Sequence, residues 1–431
     1  MRYLEKSEFL GNAPTIQIDR KIFGELEQVA QWSIVKKSGK DVFWGIKTGG
    51  SIDCIPIIRD GVVYFGACDH NFYAVDAETG KEIWRFRTGG PMAGDKAAFE
   101  NGIIYFGSFD GIMYAVSAKD GREIWRFKAG NKLFNQIVYK GVLYFGSKDG
   151  VFYALDGITG RELWRFYARD SIMTPCLFNE RIYFGSWDCN LYVLSLKGEL
   201  IWKFTAADQV NWGVVADENA VYFGSRDHHL YAVSHDGRLL WKFKTSDAVI
   251  STPFIGDDAI YFGSYDYNFY AVSKSGKLLW KFGTGNILYA CPIVYEGKVI
   301  FGACDKNFYA LSLDGKLLWN VKIDEFESHG PAAYNGRIYF CAWDCKMRCV
   351  SAKTGKVFWE FKTSIGTPSP VDVDSELNET SFEVIIPESQ DGKDEGRYST
   401  QKKDIGDYQS PEDSVYRSGS QYKSGVRYGS F

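Results

Sequence analysis

Short apolar runs alternate with turn residues along most of this chain, and residues 260–282 (IYFGSYDYNFYAVSKSGKLLWKF) show the pattern in full. Three runs rich in aromatic and β-branched residues are separated by two turns, one around Asp266 and one at Ser275-Gly276. Runs of this length, bounded by Gly, Ser and Asp, predict β-strands. Residues 252–255 add a fourth strand, with a proline near its start where a missing amide proton is tolerated. The stretch is therefore a four-stranded unit.

This unit recurs along the chain with a nearly constant period. An aspartate in the first turn recurs after 41 residues and then in six steps of 39 residues, and a tryptophan in the last strand recurs with it. The aspartates are Asp69, Asp110, Asp149, Asp188, Asp227, Asp266, Asp305 and Asp344, and the tryptophans are Trp84, Trp125, Trp164, Trp202, Trp241, Trp280, Trp319 and Trp359. A period of about 40 residues with four strands per unit is the signature of propeller blades. We predict an all-β fold, an eight-bladed β-propeller.

The residues of the repeat also resemble those of a known family. AVDAETGKEIW (74–84), ALDGITGRELW (154–164) and SAKTGKVFW (351–359) each follow a YFGS-x-D-like turn. They resemble the pyrroloquinoline-quinone (PQQ) repeat, which occurs in quinoprotein dehydrogenases and in many propellers that bind no quinone. The resemblance spans residues 49–363 and implies the fold. The repeated residues have structural uses: glycine adopts backbone conformations that other residues avoid, aspartate bonds turn amides, and tryptophan fills the space between blades.

Composition divides the chain into three parts. Residues 1–38 form an N-terminal capping segment, in which 19–32 has the apolar spacing of a short amphipathic helix. Residues 39–371 form the propeller. Residues 372–431 form a low-complexity tail, acidic first and then rich in Tyr, Ser, Gly and Arg, which predicts disorder in isolation. Segments 41–47 and 356–362 both look like outermost blade strands, and the sequence leaves open which one closes the ring and whether residues 364–388 complete a ninth blade.

The formal charge of −4 is unevenly distributed. Residues 372–413 contain 13 acidic and 4 basic residues, whereas 414–431 contain 3 basic residues and no acidic one. The nearly neutral propeller lacks the basic footprint of nucleic-acid binding. Six consecutive blades carry a basic residue directly after the tryptophan, at Arg85, Arg126, Arg165, Lys203, Lys242 and Lys281. This outer rim is either an anionic docking belt or a guard against edge-to-edge aggregation, which charged edge strands prevent.

The lack of an apolar targeting segment and the pattern of the cysteines predict the compartment. No apolar run approaches the roughly 18 residues that span a bilayer, and the N-terminus has no apolar signal-peptide core. The nine cysteines mostly replace small or apolar residues at repeat positions, which fits a reducing interior better than a disulfide framework. We predict a cytoplasmic protein without a membrane span.

Function is expected where the blades differ. The residues just before the proline position at the start of the first strand vary from blade to blade. They are candidates for a ligand site in the central channel. The candidates are Asp53, Asp95, Lys96, Asn135, Thr174, Trp212, Ser251, Thr252, Tyr289 and His329. Aromatic residues beside the turn aspartates and in the tail are candidates for a protein interface, because Trp and Tyr are favoured there. They are Phe109, Trp187, Tyr265, Tyr267, Trp343, Tyr416, Tyr422 and Tyr428.

The chemistry of a catalyst is missing from the sequence. The resemblance implies that a quinoprotein dehydrogenase would carry a calcium set beside the quinone and often adjacent cysteines, and neither is evident. We therefore expect no enzyme activity, cofactor or metal. The predicted function is a scaffold that binds protein partners through channel-face loops and its tail, with nucleic acid at most a weak ligand of the tail. Alternatives are a sugar-like small ligand in the channel and, least favoured, PQQ-dependent oxidation.

Overall fold

The computed structural model describes residues 51–288, 291–325 and 330–363, without the side chains of 93–95. All regular elements in these ranges are β-strands. The predicted helix within 19–32, the strand 41–47 and the tail 372–431 lie outside the described residues. Two strands, β1 (Asp53–Ile55) and β6 (Ala93–Lys96), form a parallel pair between the first two blades.

Each blade is an antiparallel sheet of four consecutive strands, in chain order from the centre of the ring outwards. Blade 1 contains β2 (Ile57–Arg59), β3 (Val62–Gly66), β4 (Asn71–Asp76) and β5 (Glu82–Arg87). Blade 2 contains β7 (Ala98–Glu100), β8 (Ile103–Gly107), β9 (Ile112–Ser117) and β10 (Glu123–Lys128). Blade 3 contains β11 (Leu133–Tyr139), β12 (Val142–Ser147), β13 (Val151–Asp156) and β14 (Glu162–Tyr167). Blade 4 contains β15 (Cys176–Phe178), β16 (Arg181–Gly185), β17 (Asn190–Ser195) and β18 (Leu200–Thr205).

The second half of the ring repeats this order. Blade 5 contains β19 (Val215–Ala216), β20 (Val221–Ser225), β21 (His229–Val233) and β22 (Leu239–Lys244). Blade 6 contains β23 (Phe254–Ile255), β24 (Ala259–Gly263), β25 (Asn268–Ser273) and β26 (Leu278–Gly283). Blade 7 contains β27 (Ile293–Tyr295), β28 (Lys298–Ala303), β29 (Asn307–Ser312) and β30 (Leu317–Lys322). Blade 8 contains β31 (Ala332–Tyr334), β32 (Arg337–Ala342), β33 (Lys346–Ser351) and β34 (Val357–Lys362).

The eight-bladed propeller predicted from the period is confirmed. Of the two candidates for the closing strand, the segment around 356–362 supplies β34, the outermost strand of the last sheet. Blade 8 meets blade 1 through side chains: the Tyr339 hydroxyl donates a hydrogen bond of 2.9 Å to the Ala77 carbonyl oxygen. Within the described residues, the ring therefore closes without a strand borrowed from the other end of the chain.

The core lies between blades. Phenylalanine rings of adjacent sheets stack almost parallel, with centroids 4.0 Å apart for Phe72 and Phe106 and 3.9 Å for Phe269 and Phe301. These side chains are nearly or fully buried. A four-stranded sheet cannot cover both of its own faces, so the neighbouring blades cover them.

The repeated tryptophan joins each blade to the next. The indole Nε1 of Trp84 donates a hydrogen bond of 3.1 Å to the Ala118 carbonyl oxygen of blade 2. Its ring lies against Gly121, where φ is +70° and a Cβ atom would come within 2.7 Å of the indole. The same indole-to-carbonyl bond occurs in all eight blades. The structural uses predicted for tryptophan and glycine are thereby confirmed.

A β-bulge lies near the start of the outermost strand of every blade. In β22, Leu239 lies opposite Val233 and Trp241 lies opposite Ala232, so Leu240 is the extra residue. The same shift precedes the tryptophan in the other seven blades. Because a bulge bends the strand and redirects side chains, an apolar residue at this position faces solvent; Leu240 is 51% exposed.

Candidate functional site

The strand order brings the two sets of candidate loops to one face of the ring. The aspartate turns join the second and third strands of each blade, and the loops that lead into the first strands lie at the same end. The backbone amide of Phe109 donates to the Pro91 carbonyl oxygen, that of Trp187 to Ser171, and that of Tyr265 to Ala248, at 2.9–3.0 Å. We call this side of the ring the aspartate face.

The carboxylates of the repeated aspartates accept hydrogen bonds in and beside their own turns. Asp266 accepts hydrogen bonds from the Asn268 amide at 3.1 Å, from the Tyr270 hydroxyl at 2.6 Å and from the Ser246 amide at 3.0 Å. Burial favours the neutral acid, but the bonds from Tyr270, Ser246 and Asn268 outweigh it and hold the pKa of Asp266 below its ordinary value. In every blade the aspartate accepts from the amide two residues further on. The predicted bonding of turn amides is confirmed.

The residue after each aspartate is held in the left-handed region of φ. These eight residues, with φ between +65° and +79°, are His70, Gly111, Gly150, Cys189, His228, Tyr267, Lys306 and Cys345. Each of their carbonyl oxygens accepts a backbone amide from the end of the outermost strand or just beyond it, as Tyr267 does from Thr284 at 2.8 Å. The turns are thus fixed by the framework, while the residue at this position varies among five types: His, Gly, Cys, Tyr and Lys. The repeat pattern alone does not reveal this position as a class, although glycine at Gly111 and Gly150 is a signal for it.

Three of the predicted channel residues, Lys96, Asn135 and Thr174, contact one another, and Asp53 contacts blade 8. The Lys96 amide donates to the Asn135 side-chain oxygen, and the Asn135 side-chain amide donates to the Thr174 hydroxyl at 2.6 Å. Asp53 is buried, and its carboxylate accepts a hydrogen bond of 3.0 Å from the Trp343 indole. These polar groups link neighbouring blades around the channel wall, so much of their bonding capacity is used within the protein.

The remaining channel candidates have similar contacts. The Thr252 hydroxyl accepts the Gly213 amide at 2.8 Å, which joins blades 5 and 6. The Ser251 hydroxyl is fully buried and bonds both the amide and the carbonyl oxygen of Gly263 at 2.8 Å. Trp212 is half-buried, with φ at +52°. Tyr289, His329 and the side chain of Asp95 lie outside the described residues.

Lys96 differs from the rest of the channel wall. Its side chain is exposed to solvent, and the described part of the chain offers its ammonium group no carboxylate or hydrogen-bond acceptor. Enclosure by protein lowers the pKa of this ammonium group; the Cys291 thiol opposes that shift, and the Arg59 guanidinium adds to it. Cys291 leads into blade 7, which is not a neighbour of blade 2. The ammonium group therefore projects into the central channel, where water reaches it.

The predicted interface aromatics have different degrees of exposure. Tyr267 is 50% exposed. Phe109 and Trp187 are half-buried, and lysine ammonium groups cover their rings: Lys132 lies 4.1 Å from the Phe109 ring centroid and Lys148 lies 5.7 Å from a Trp187 ring centroid. Tyr265 and Trp343 are also half-buried. Tyr416, Tyr422 and Tyr428 lie outside the described residues.

Blade 8 departs from the polar pattern of the other blades. In blade 1, the Tyr73 hydroxyl bonds Asp69, and the Arg85 guanidinium lies over the Tyr73 ring. Blade 8 has Arg348 at the tyrosine position and Glu360 at the arginine position. Arg348 is 3% exposed and binds both Asp344, with Nη1 to Oδ1 at 3.0 Å, and Glu360, with Nε to Oε1 at 2.9 Å. In blade 8 the aspartate is therefore still bonded, but its partner is an arginine guanidinium and no longer a tyrosine hydroxyl.

The possible metal ligands among the described residues do not group together. No three His, Cys, Asp or Glu side chains among them converge as a metal ion requires. The absence of a cofactor stays a prediction. In the same ranges, no helix is long and apolar enough to cross a bilayer.

Two protein-family models match the sequence. The sequence model described as outer membrane protein assembly factor BamB matches residues 69–185, 188–303 and 272–393. The model described as the β-propeller domain of glucose/ethanol/alcohol dehydrogenase matches residues 3–100. Among the curated proteins, none matches the sequence.

Solved structures are similar in fold at low identity. The computationally designed Ika8 protein is 16% identical, with a TM-score of 0.63, and the match covers 70% of this chain and 96% of that one. BamB from Moraxella catarrhalis is 14% identical, with a TM-score of 0.58, and the match covers 76% of this chain and 96% of that one. At such identities the likeness concerns the fold.

Proposed function

Because the chain belongs to the BamB-like family of PQQ-repeat β-propellers, we propose that it is a non-catalytic scaffold whose aspartate face binds a protein partner. The observation that carries this proposal is the ring of turns with a positive φ. Each turn is pinned by backbone hydrogen bonds, and the eight positions carry five residue types, namely His, Gly, Cys, Tyr and Lys. A rigid framework with variable positions loses little entropy on binding, which favours recognition.

Tyr267 is the first anchor of this surface. Its ring is half exposed, and its carbonyl oxygen accepts both the amide and the hydroxyl of Thr284 at 2.8 and 2.9 Å. Tyrosine combines apolar area with a polar tip, and residues of this kind dominate interface energies. The lysines over Phe109 and Trp187 add positive charge beside aromatic rings, which suits a partner with acidic side chains.

We also propose a location for the protein. All nine cysteines are free thiols in the structure. Thiols of this number persist in reducing compartments, which supports the cytoplasm.

Photo-crosslinking tests the proposed face. A benzophenone amino acid would replace Tyr267 in the full chain, and a matched probe would replace Ile158, which is 70% exposed in the turn between β13 and β14 at the opposite end of the blades. We expect a discrete crosslinked protein in cells from the Tyr267 probe and none from the Ile158 probe. Equal crosslinking from both probes, or none from either while a crosslink appears at the rim residue Leu240, would overturn the proposed face.

Small-ligand binding in the channel is the second candidate, and Lys96 favours it. An ammonium group that is surrounded by protein but open to channel water gains from a negative charge placed beside it, so an anionic ligand fits better than a neutral sugar. Thermal shift with phosphate and small carboxylates tests this with Lys96→Met, and Lys119→Met on the surface of blade 2 serves as control. A stabilisation that survives Lys96→Met would remove this candidate.

A further inference from the structure

The outer rim of the ring is divided into two sectors with different chemistry. In blades 1 to 3 the bulge is preceded by glutamate, and each glutamate forms a bidentate pair with the arginine three residues later. The pairs are Glu82–Arg85, Glu123–Arg126 and Glu162–Arg165, at 2.5–2.7 Å. In blades 4 to 7 leucine replaces that glutamate. Lysine replaces the arginine in blades 4 to 6, and Asn320 takes its place in blade 7.

The second sector therefore presents pairs of apolar side chains to solvent. We call the following set the apolar rim: Leu200, Ile201, Leu239, Leu240, Leu278, Leu279, Leu317 and Leu318. Each of these side chains is 43–51% exposed. Exposed apolar residues scattered singly are ordinary, but two on each of blades 4 to 7, continued by Val357 and Phe358 in blade 8, form an ordered arrangement. Large exposed apolar surfaces mark interaction sites.

Charge selects the kind of partner. Lys203, Lys242 and Lys281 lie two residues beyond the bulge and share its outward direction, because side chains alternate along a strand. The described residues pair none of these lysines with a carboxylate, unlike the arginines of blades 1 to 3. A second copy of this rim would bring like charges together, which is unfavourable. The complementary partner is a segment that carries both apolar and acidic side chains.

The chain contains such a segment beyond the last blade. Residues 372–388 (DVDSELNETSFEVIIPE) contain six acidic residues, six of Val, Leu, Ile or Phe, and no basic residue. The last described residue, Thr363, follows the outermost strand of blade 8 and is bonded to the Cys345 carbonyl oxygen at 3.0 Å. The described chain therefore ends on the outer wall of blade 8, which lies between blade 7 and blade 1. At about 3.3 Å per residue, the intervening residues reach the neighbouring rim.

From these observations we infer that residues 372–388 bind the apolar rim of blades 4 to 7 in the same molecule. Their apolar side chains cover the leucine pairs, and their carboxylates lie near Lys203, Lys242 and Lys281. The outermost strand of each blade is a sheet edge, so backbone pairing with an extended segment is available along it. The segment would also protect these edges from other chains. This inference concerns the outer wall and does not depend on the proposed function of the aspartate face.

Zero-length crosslinking of the full chain tests the inference. A carbodiimide joins a lysine amine to a carboxylate only when the two are in contact, and mass spectrometry identifies the joined peptides. We expect bonds from Lys203, Lys242 or Lys281 to acidic residues of 372–388, and none from Lys119 of blade 2. Mixing isotopically labelled and unlabelled chains shows whether each bond lies within one molecule.

Matched variants decide whether the apolar rim carries the binding. Leu240→Glu with Leu279→Glu should lower the crosslink yield about tenfold, because the new carboxylates repel the acidic segment. Ile124→Glu, at the same bulge position of blade 2 and 45% exposed, should leave the yield unchanged. Phe382→Asp with Ile386→Asp leaves the propeller untouched and should produce the same loss as the rim variant.

Three results would overturn the inference. One is a crosslink yield that is equal for lysines of all blades, and another is a yield that Ile124→Glu lowers as much as the rim variant does. The third is bonds found only between labelled and unlabelled chains, which would assign the rim to the segment of a second copy.

Discussion

The indole Nε1 of Trp359 donates a hydrogen bond of 3.2 Å to the carbonyl oxygen of Ala77, which fastens the last blade to the first. The two residues are separated by almost the whole propeller. The contact is nevertheless of the same type as those between consecutive blades. For example, the Trp241 indole donates to the Lys274 carbonyl oxygen of the next blade at 2.9 Å. The ring is thus closed by the ordinary contact between blades, and no blade is left with an uncovered face.

Removal of the closing indole should destabilise the propeller. Trp359→Ala should lower the free energy of unfolding by about 3–5 kcal/mol, the usual cost of replacing a large aromatic by alanine in a core. Trp241→Ala is the matched control, and denaturant titration should give a similar loss. Hydrogen exchange should separate the two variants, with faster exchange in blades 1 and 8 for Trp359→Ala and in blades 5 and 6 for Trp241→Ala. Identical exchange patterns would contradict a ring closed by side chains.

The glycine beneath the closing indole should tolerate no side chain. Gly80 has a φ of +72°, and a Cβ atom would lie 2.7 Å from the Trp359 ring; Gly61 has a φ of +75° with nothing within 4 Å. Gly61→Ala should cost about 1–2 kcal/mol for the left-handed backbone alone. Gly80→Ala should cost about 1–3 kcal/mol more because the indole must move. Thermal unfolding of the two variants measures the difference, and equal losses would show that the ring accommodates the methyl group.

The ionic cluster of blade 8 should be exchangeable for the pattern of blade 1. Arg348→Tyr alone should cost about 3–5 kcal/mol, because Asp344 and Glu360 lose their buried partner. Adding Glu360→Arg should recover much of that loss, because blade 1 combines tyrosine and arginine at these positions. A double-mutant cycle from denaturant unfolding gives the coupling energy. A double variant no more stable than Arg348→Tyr would show that blade 8 depends on its own charges.

The aspartate turns should set the acid limit of stability. The pKa of Asp266 is lowered in the folded state, so its contribution is present above the unfolded pKa of about 3.9. That contribution is lost as the pH falls through the lower folded value. Tyr270→Phe removes one bond to this carboxylate and should flatten the decline in stability below about pH 4. Tyr261→Phe is the control, since this buried tyrosine lies on the adjacent strand and, among the described residues, its hydroxyl donates no hydrogen bond to an aspartate.

Much of the fold could be read from the sequence because its signals are local and repeated. The 39-residue step between Asp188 and Asp227 reports the length of one blade without any knowledge of contacts. Candidate sites were harder to predict. Asp53 stands at a variable position, as a ligand-binding residue would, but its partner comes from a distant part of the chain. A hydrogen bond from Trp343 to Asp53 joins residues whose separation in sequence is 290, and no local pattern reports it.

The sequence by itself determined the number of blades, their four-stranded composition and the roles of the repeated Asp, Gly and Trp, because identical local units fold alike wherever they occur. Only the tertiary structure decided how the ring closes, which variable side chains point outwards, and which polar groups are already bonded. Those properties depend on which blades become neighbours and on the bulge that turns each outermost strand. Period and composition carry no record of either, because both arise when the eight sheets meet around one axis.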